Sequence, residues 1–135
     1  MRAMVLMGAL ALGGCVAGAE SRGSYGSQER AASELADALK GRVAAAPQDC
    51  ISATSTNGPQ IIDGRTLIYR SAGSVWRNDL EASCPGLDPG DTLVVEIHGS
   101  QLCRNDLFYV REMGSTIPGP RCRMGAFTPY KKATN

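Results

Sequence analysis

The sequence has few of the residues that mark nucleic-acid-binding proteins, enzymes and metal proteins. Its 135 residues include a single histidine and 5% aromatic residues, and 14 Lys and Arg against 13 Asp and Glu give a formal charge of +1. A nucleic-acid binder needs a dense basic face, so we predict no nucleic-acid partner. The remaining composition, 43% hydrophobic and 20% charged, is typical of one globular domain of modest size.

The common catalytic and cofactor motifs are also missing. No serine stands in a Gly-x-Ser-x-Gly turn, no pair of carboxylates has a spacing that indicates acid/base work, and no glycine loop follows a strand and precedes a helix. We therefore predict no catalytic residue and no cofactor. His98 is expected to be an exposed residue at the end of a strand.

The five cysteines contain no Cys-x-x-Cys pair. Because zinc ligands usually come in close pairs and only one histidine is available, we predict no metal site. Separated cysteines in an oxidising compartment form structural disulfides, which here would join Cys50, Cys84, Cys103 and Cys122. Three connectivities are open. We favour Cys50 with Cys122, which ties the domain ends together, and Cys84 with Cys103, which staples one strand-loop-strand segment.

The first 15 residues are typical of an export signal. Arg2 precedes an apolar run that ends at Leu12, too short to span a bilayer and without the polar face of a core helix. The sequence Leu-Gly-Gly-Cys at 12–15 resembles the lipobox of bacterial lipoproteins. This resemblance implies that residues 1–14 are a cleaved signal peptide and that Cys15 becomes acylated, for example with palmitate.

Acyl chains on Cys15 would make the membrane a permanent partner of an otherwise globular protein. Val16 follows this cysteine, whereas the best-known sorting rule retains lipoproteins with Asp at that position in the inner membrane. We therefore expect a location in the cell envelope, anchored to the outer membrane and facing the periplasm, with the inner membrane as the less favoured site.

After Cys15 the chain divides into three parts. Residues 15–27 are rich in Gly and Ser and are predicted to form a flexible tether. A helix is predicted over 28–46, with Ser27 as N-cap and Pro47 as stop, and residues 47–131 form the β domain. The helical spacing is carried by Ala31, Leu35, Ala38, Leu39 and Val43.

The β domain begins with two predicted hairpins. Asp63-Gly64 is typical of a two-residue type I′ turn, and Ala72-Gly73 forms a second turn. If that turn has two residues, Arg70 faces Val75, Tyr69 faces Trp76, and Ile68 faces Arg77, with Tyr69, Trp76 and Leu67 on the core face. Further strands are predicted at 93–97, 106–112 and 121–127. The predicted fold is mainly β, a small antiparallel sheet or partly open barrel with two disulfides after one N-terminal helix.

Four polar residues of this domain are candidates for a surface site: Arg70, Arg77, Asp106 and His98. Arginines on short strands more often prevent edge-to-edge pairing than bind a ligand. Asp106, which follows Arg-Asn, is expected to cap backbone amides in a turn.

Residues 40–130 resemble a family of small secreted or lipidated proteobacterial proteins of unknown function. The resemblance rests on the order of four cysteine blocks: DCI at 49–51, CPGL at 84–87, LCRND at 102–106 and CRMGAF at 122–127. It implies a single disulfide-containing β-rich domain and assigns no catalytic residue. Met124 stands where we would expect Leu, a conservative difference.

These observations favour a periplasm-facing lipoprotein with a non-enzymatic role as a binding or structural module, with another envelope protein as its partner. One alternative is a small envelope enzyme whose site combines Arg70, Arg77, Asp106 and His98. Another is an inhibitor or accessory subunit, which predicts an exposed apolar patch that uses Tyr109, Phe127 or Tyr130.

Overall fold

The computed structural model describes residues 19–134, and within them the chain forms one helix followed by ten short strands. Helix α1 spans Ala19–Leu39. The strands are β1 Arg42–Ala44, β2 Cys50–Ser52, β3 Asn57–Ile61, β4 Thr66–Ser71, β5 Ser74–Asp79, β6 Thr92–Val95, β7 Gln101–Cys103, β8 Leu107–Arg111, β9 Arg121–Arg123 and β10 Phe127–Lys132. The predicted signal peptide at 1–14 and the predicted lipidation site Cys15 lie outside the described residues.

The strands form three antiparallel sheets that do not close into a barrel. The largest has five strands in the order β1-β10-β5-β4-β3, a second joins β2 to β7, and a third has the order β6-β8-β9. The predicted mainly β fold with one N-terminal helix and two disulfides is therefore confirmed, in its form as antiparallel sheets. No helix within residues 19–134 combines the length and the apolar content needed to cross a membrane.

The hairpin between β4 and β5 has the predicted register. Tyr69 is paired with Trp76, Arg70 with Val75 and Ile68 with Arg77. The turn at Ala72-Gly73 has two residues, and Gly73 has a φ of 81°, which a residue with a side chain rarely adopts. Because loop length sets the register of a hairpin, this part of the sheet could be derived locally.

The turn between β3 and β4 differs from the predicted type I′ turn. Four residues, 62–65, separate the strands, and Ile61 pairs with Leu67. Asp63 Oδ1 accepts hydrogen bonds from the amides of Arg65 at 2.8 Å and Thr66 at 2.7 Å. This side-chain turn satisfies two backbone donors without a positive φ at Gly64, so the longer loop is favoured.

Helix α1 has different ends from those predicted. It already includes residues 19–27, which were expected to belong to the tether, and each residue added to a formed helix gains a backbone hydrogen bond. It stops at Leu39 rather than near residue 46, because Gly41 adopts a φ of 68° beyond its end. Val43 then pairs with Lys131 as part of β1. A tertiary contact thus overrides the helical spacing of Val43.

Two hydrophobic clusters lie on opposite faces of the five-stranded sheet. The larger lies between this sheet and the two smaller ones, and the Tyr69 and Phe127 rings meet there edge to face at 5.8 Å. The smaller lies under α1, where Ala31 packs with Ile68 and Val75. The helix therefore docks on the sheet through its alanine-rich stripe. Burial of both faces explains why four successive residues of β4, from Thr66 to Tyr69, are buried.

The predicted strand at 121–127 is two strands in the structure. Met124 donates its amide to Asp106 O at 3.0 Å and accepts from the Asn105 amide at 2.9 Å. The next residue, Gly125, bonds the side chain of Asn78 through both its amide, at 2.9 Å, and its carbonyl, at 2.8 Å. Since the backbone here bonds to groups other than a neighbouring strand, β9 ends at Arg123 and β10 begins at Phe127.

The two disulfides are Cys50–Cys103 and Cys84–Cys122, so the predicted pairing was wrong. The antiparallel register of β2 and β7 places Cys50 directly opposite Cys103. The loop after β5 is held by a bond of 2.8 Å from the Cys84 amide to Gly64 O, and Cys122 lies on β9. Neither pairing follows from the cysteine spacing. The first depends on the pairing of β2 with β7, and the second on the packing of the loop after β5 against β9.

Burial raises the pKa of Tyr69 above its ordinary value. Its ring is buried and its hydroxyl contacts Met124 Sδ at 3.9 Å. An unfolded tyrosine ionises near pH 10. Above that pH the unfolded chain releases a proton that the folded chain keeps, so we expect stability to fall by about 1.4 kcal/mol per pH unit.

Urea unfolding between pH 8 and 11 measures this loss, with Tyr69→Phe as the control. The variant keeps the ring but carries no ionisable group at this position, so the decline above pH 10 should be shallower than in the wild type. Identical slopes for both proteins would contradict the assignment to Tyr69.

Candidate functional site

Two of the four candidate site residues lie on the α1 face of the five-stranded sheet. Arg70 pairs with Val75, and Arg77 pairs with Ile68, so both arginines share the face of these buried residues. Arg70 donates to Gln60 Oε1 at 2.7 Å. Arg77 lies on β5, the central strand of the sheet, and faces α1.

Arg77 is half-buried and forms an ion pair of 2.9 Å with Asp79. Burial by itself lowers the pKa of Arg77, but the hydrogen bond and charge of Asp79, with a smaller contribution from Tyr130, raise it above the ordinary value. The guanidinium thus stays charged, and a carboxylate already occupies part of its donor surface.

The other two candidate residues lie in loops of the smaller sheets. Asp106 Oδ2 accepts a hydrogen bond of 2.7 Å from the Cys103 amide in the turn between β7 and β8, which confirms the expected capping role. Asn105 in the same turn has a φ of 70°. His98 is exposed, as expected, but the strand predicted at 93–97 ends at Val95, so His98 lies beyond the end of β6. In the described part of the chain, no hydrogen bond or ion pair connects any two of Arg70, Arg77, Asp106 and His98.

A cleft of about 400 Å³ lies between α1 and the loop that joins β3 to β4. Arg77 contributes to its wall, and so does Arg30, which pairs with Glu34 at 2.7 Å and also donates to Ile62 O at 3.5 Å. Asp63 and Asp88 add two acidic residues to the lining. The charged side chains of the cleft therefore balance, and its cations are already engaged by protein groups.

The exposed apolar side chains are not those expected for an accessory subunit. Phe127 is fully buried against Tyr69, and Tyr109 and Tyr130 are half-buried, so the predicted patch was wrong for Phe127. Phe127 is buried because it lies on the face of β10 that packs into the larger hydrophobic cluster. The exposed ones include Met113 and Ile117, at 81% and 75%, in the loop after β8.

Sequence reasoning missed a cluster of cations at the outer edge of the five-stranded sheet. Lys40 follows α1, and the register of β1 and β10 places Arg42 opposite Lys132 and Val43 opposite Lys131. We call the set of Lys40, Arg42, Lys131 and Lys132 the lysine edge. It contains every lysine of the chain. The pair at 131–132 was visible in the sequence, but nothing there linked it to Lys40.

Within residues 19–134, no three His, Cys, Asp or Glu side chains are grouped as metal ligands. The two disulfides indicate a compartment outside the reducing cytosol. No family model, curated protein or solved structure matches this chain.

Proposed function

We propose that this chain is a lipoprotein of the bacterial envelope, anchored through acyl chains on Cys15 and facing the periplasm, whose domain acts as a non-enzymatic binding or structural module. The similarity of residues 40–130 to small lipidated proteobacterial proteins of unknown function belongs to the same proposal. The proposal is more specific than the conclusion, drawn from the disulfides, that the protein resides outside the cytosol.

The distribution of the cysteines carries this proposal. Four of the five cysteines are consumed by two disulfides, which form and persist in oxidising compartments. The remaining one, Cys15, ends the lipobox sequence and is the residue that lipidation requires. Export therefore accounts for all five cysteines: one as an attachment point for lipid and four as crosslinks.

The contacts of the polar residues support a non-enzymatic role. Asp106 caps a turn, Arg77 pairs with Asp79, and Arg70 bonds Gln60, so each serves the fold. General acid/base catalysis needs a donor or acceptor that is within reach of a second reacting group.

Cross-linking in the native envelope followed by isolation of the lipidated protein tests for a protein partner, with a Cys15→Ala strain as background.

Replacing Cys15 by Ala is expected to abolish lipidation and to remove the protein from the outer-membrane fraction. In the wild type, mass spectrometry of the N-terminal peptide should find Cys15 as first residue carrying acyl groups. Two or more acyl chains make attachment effectively permanent, so this protein should resist extraction by high salt.

The matched control is Cys50→Ala with Cys103→Ala, which also removes cysteines but should leave the acyl groups on Cys15. A second variant, Val16→Asp, is expected to shift the lipidated protein to the inner membrane. A native protein that starts at Met1, or a Cys15 without acyl groups, would refute the anchor.

A further inference from the structure

We infer that the lysine edge is a membrane-contact surface, which binds the anionic phospholipid headgroups of the bilayer that holds the anchor. The inference deepens the proposed function and rests on it, because the anchor supplies the membrane. It assigns the domain an orientation, in which the outer edge of the five-stranded sheet lies on the bilayer.

The first argument is the charge of this edge. Lys40, Lys131 and Lys132 are exposed, and none of them forms a hydrogen bond or ion pair through its side chain in the described residues. By contrast, Arg30, Arg77, Arg104 and Arg121 each pair with a carboxylate. Among the described side chains, eight cations have no carboxylate partner. Four of them form the lysine edge, and the other four are arginines on separate strands and loops, Arg65, Arg70, Arg111 and Arg123.

The guanidinium of Arg42 is held in place by backbone oxygens rather than by an acid. It donates to Gly73 O at 3.2 Å and to Tyr130 O at 3.5 Å. These bonds fix a cation beside the lysines and leave its charge uncompensated by a carboxylate. Across the described chain, 13 Lys and Arg balance 13 Asp and Glu. The described part is therefore neutral as a whole, and the excess of positive charge is local to this edge.

The second argument is an exposed aliphatic side chain among these cations. Val43 is 59% exposed and stands directly opposite Lys131 in the β1–β10 pair. Directly opposed residues have Cβ atoms about 5 Å apart, so the Val43 side chain lies beside the aliphatic stem of Lys131. The interfacial region of a bilayer accommodates both, because it offers anionic headgroups and partly apolar surroundings.

The geometry of α1 sets the orientation. A helix of 21 residues is about 30 Å long, and the lysine edge begins just after its C-terminal end, while the chain continues toward Cys15 from its N-terminal end. The anchor and the lysine edge can contact one bilayer together only if α1 runs roughly along the membrane surface. An upright helix would instead hold the cations about 30 Å away, beyond several Debye lengths.

Amine acetylation of the mature lipidated protein in vesicles tests this orientation. The lysine edge carries the only lysine amines of the chain, so reaction rates at Lys40, Lys131 and Lys132, read by mass spectrometry, report on it alone. Each basic residue at an anionic membrane raises the contact equilibrium about fivefold. In vesicles of phosphatidylcholine mixed with phosphatidylglycerol we expect acetylation to be at least about fivefold slower than in phosphatidylcholine alone.

The variant Lys131→Gln with Lys132→Gln leaves Lys40 as the reporter. Two lost charges should lower the contact equilibrium about thirtyfold, so Lys40 regains the rate seen in neutral vesicles. High salt should have the same effect on the wild type. The matched control, Arg111→Gln with Arg123→Gln, removes two exposed cations from β8 and β9 and should keep the protection.

Equal acetylation rates in neutral and anionic vesicles would overturn the inference. The lysines that flank β1, an edge strand, could instead serve only to prevent this sheet edge from pairing with another one. In that case Lys131→Gln with Lys132→Gln would self-associate through this sheet edge, and its Lys40 would react at the same rate in neutral and anionic vesicles as Lys40 of the wild type does. This result would also overturn the inference. A protein without acyl groups on Cys15 contradicts the proposed function alone, since salt-sensitive co-sedimentation with the anionic vesicles still tests the lysine edge.

Discussion

Gly125→Ala is expected to prevent folding, with a loss of about 5 kcal/mol or more. A Cβ at this position would lie 1.8 Å from the carbonyl oxygen of Asp79 and 2.7 Å from its carbonyl carbon. Both are backbone atoms of β5, so no side-chain rotation relieves the overlap. The same shift would break the two buried hydrogen bonds between Gly125 and Asn78.

The loss is large compared with the stability of a small domain, about 5–15 kcal/mol. We therefore expect little folded Gly125→Ala protein to accumulate, and, for what is recovered, a urea midpoint far below that of the wild type. Circular dichroism during urea titration measures both the fraction folded and the midpoint.

Two variants separate the causes of this effect. Asn78→Ala removes both hydrogen bonds without an overlap and should cost about 2–4 kcal/mol. Gly26→Ala adds a methyl group to an exposed position of α1 that has no atom within 4 Å, and should stabilise the helix by up to about 1 kcal/mol. If Gly125→Ala unfolded at the wild-type urea concentration, the close approach of β5 to this segment would be refuted.

Loss of the Cys84–Cys122 disulfide should have the second largest effect. The bond joins residues 38 apart, and the chain-entropy model assigns such a loop about 4 kcal/mol. Cys84 is also buried in the larger hydrophobic cluster, so Cys84→Ala with Cys122→Ala adds the cost of lost packing. We expect this variant to be largely unfolded at 37 °C, as monitored by thermal denaturation.

The Cys50–Cys103 bond provides the matched comparison. Its residues are 53 apart, so its entropic contribution is again about 4 kcal/mol, but both cysteines are half-buried on a two-stranded sheet. Cys50→Ala with Cys103→Ala should therefore destabilise the domain less than the first variant. Peptide mapping without reductant checks the connectivity, and a peptide that joins Cys50 to Cys122 would contradict it.

The hairpin from Thr66 to Asp79 shows how far local reasoning reached. A two-residue turn at Ala72-Gly73 determined that Tyr69 faces Trp76, because hairpin register follows from loop length alone. The neighbouring turn at Asp63 defeated the same reasoning. Its carboxylate bonds two amides, and this side-chain bond stabilises a longer loop than the residue pair Asp-Gly indicates.

The candidate site residues also include some whose role local sequence predicted and some whose position it did not. The capping role of Asp106 followed from its place after Arg-Asn, because such caps bond residues two or three positions away. The burial of Phe127 did not, since it depends on contact with Tyr69 from another part of the sheet.

By itself the sequence determined that the domain is a small antiparallel β structure after one helix and that its four spaced cysteines form two disulfides, because strand alternation, turn residues and cysteine count act locally or by number. Only the tertiary structure decided which cysteines pair, where α1 stops, and that Arg42 and Val43 lie opposite Lys132 and Lys131. Each of these depends on contacts between segments from distant parts of the chain, and such contacts are set by the packing of the sheets.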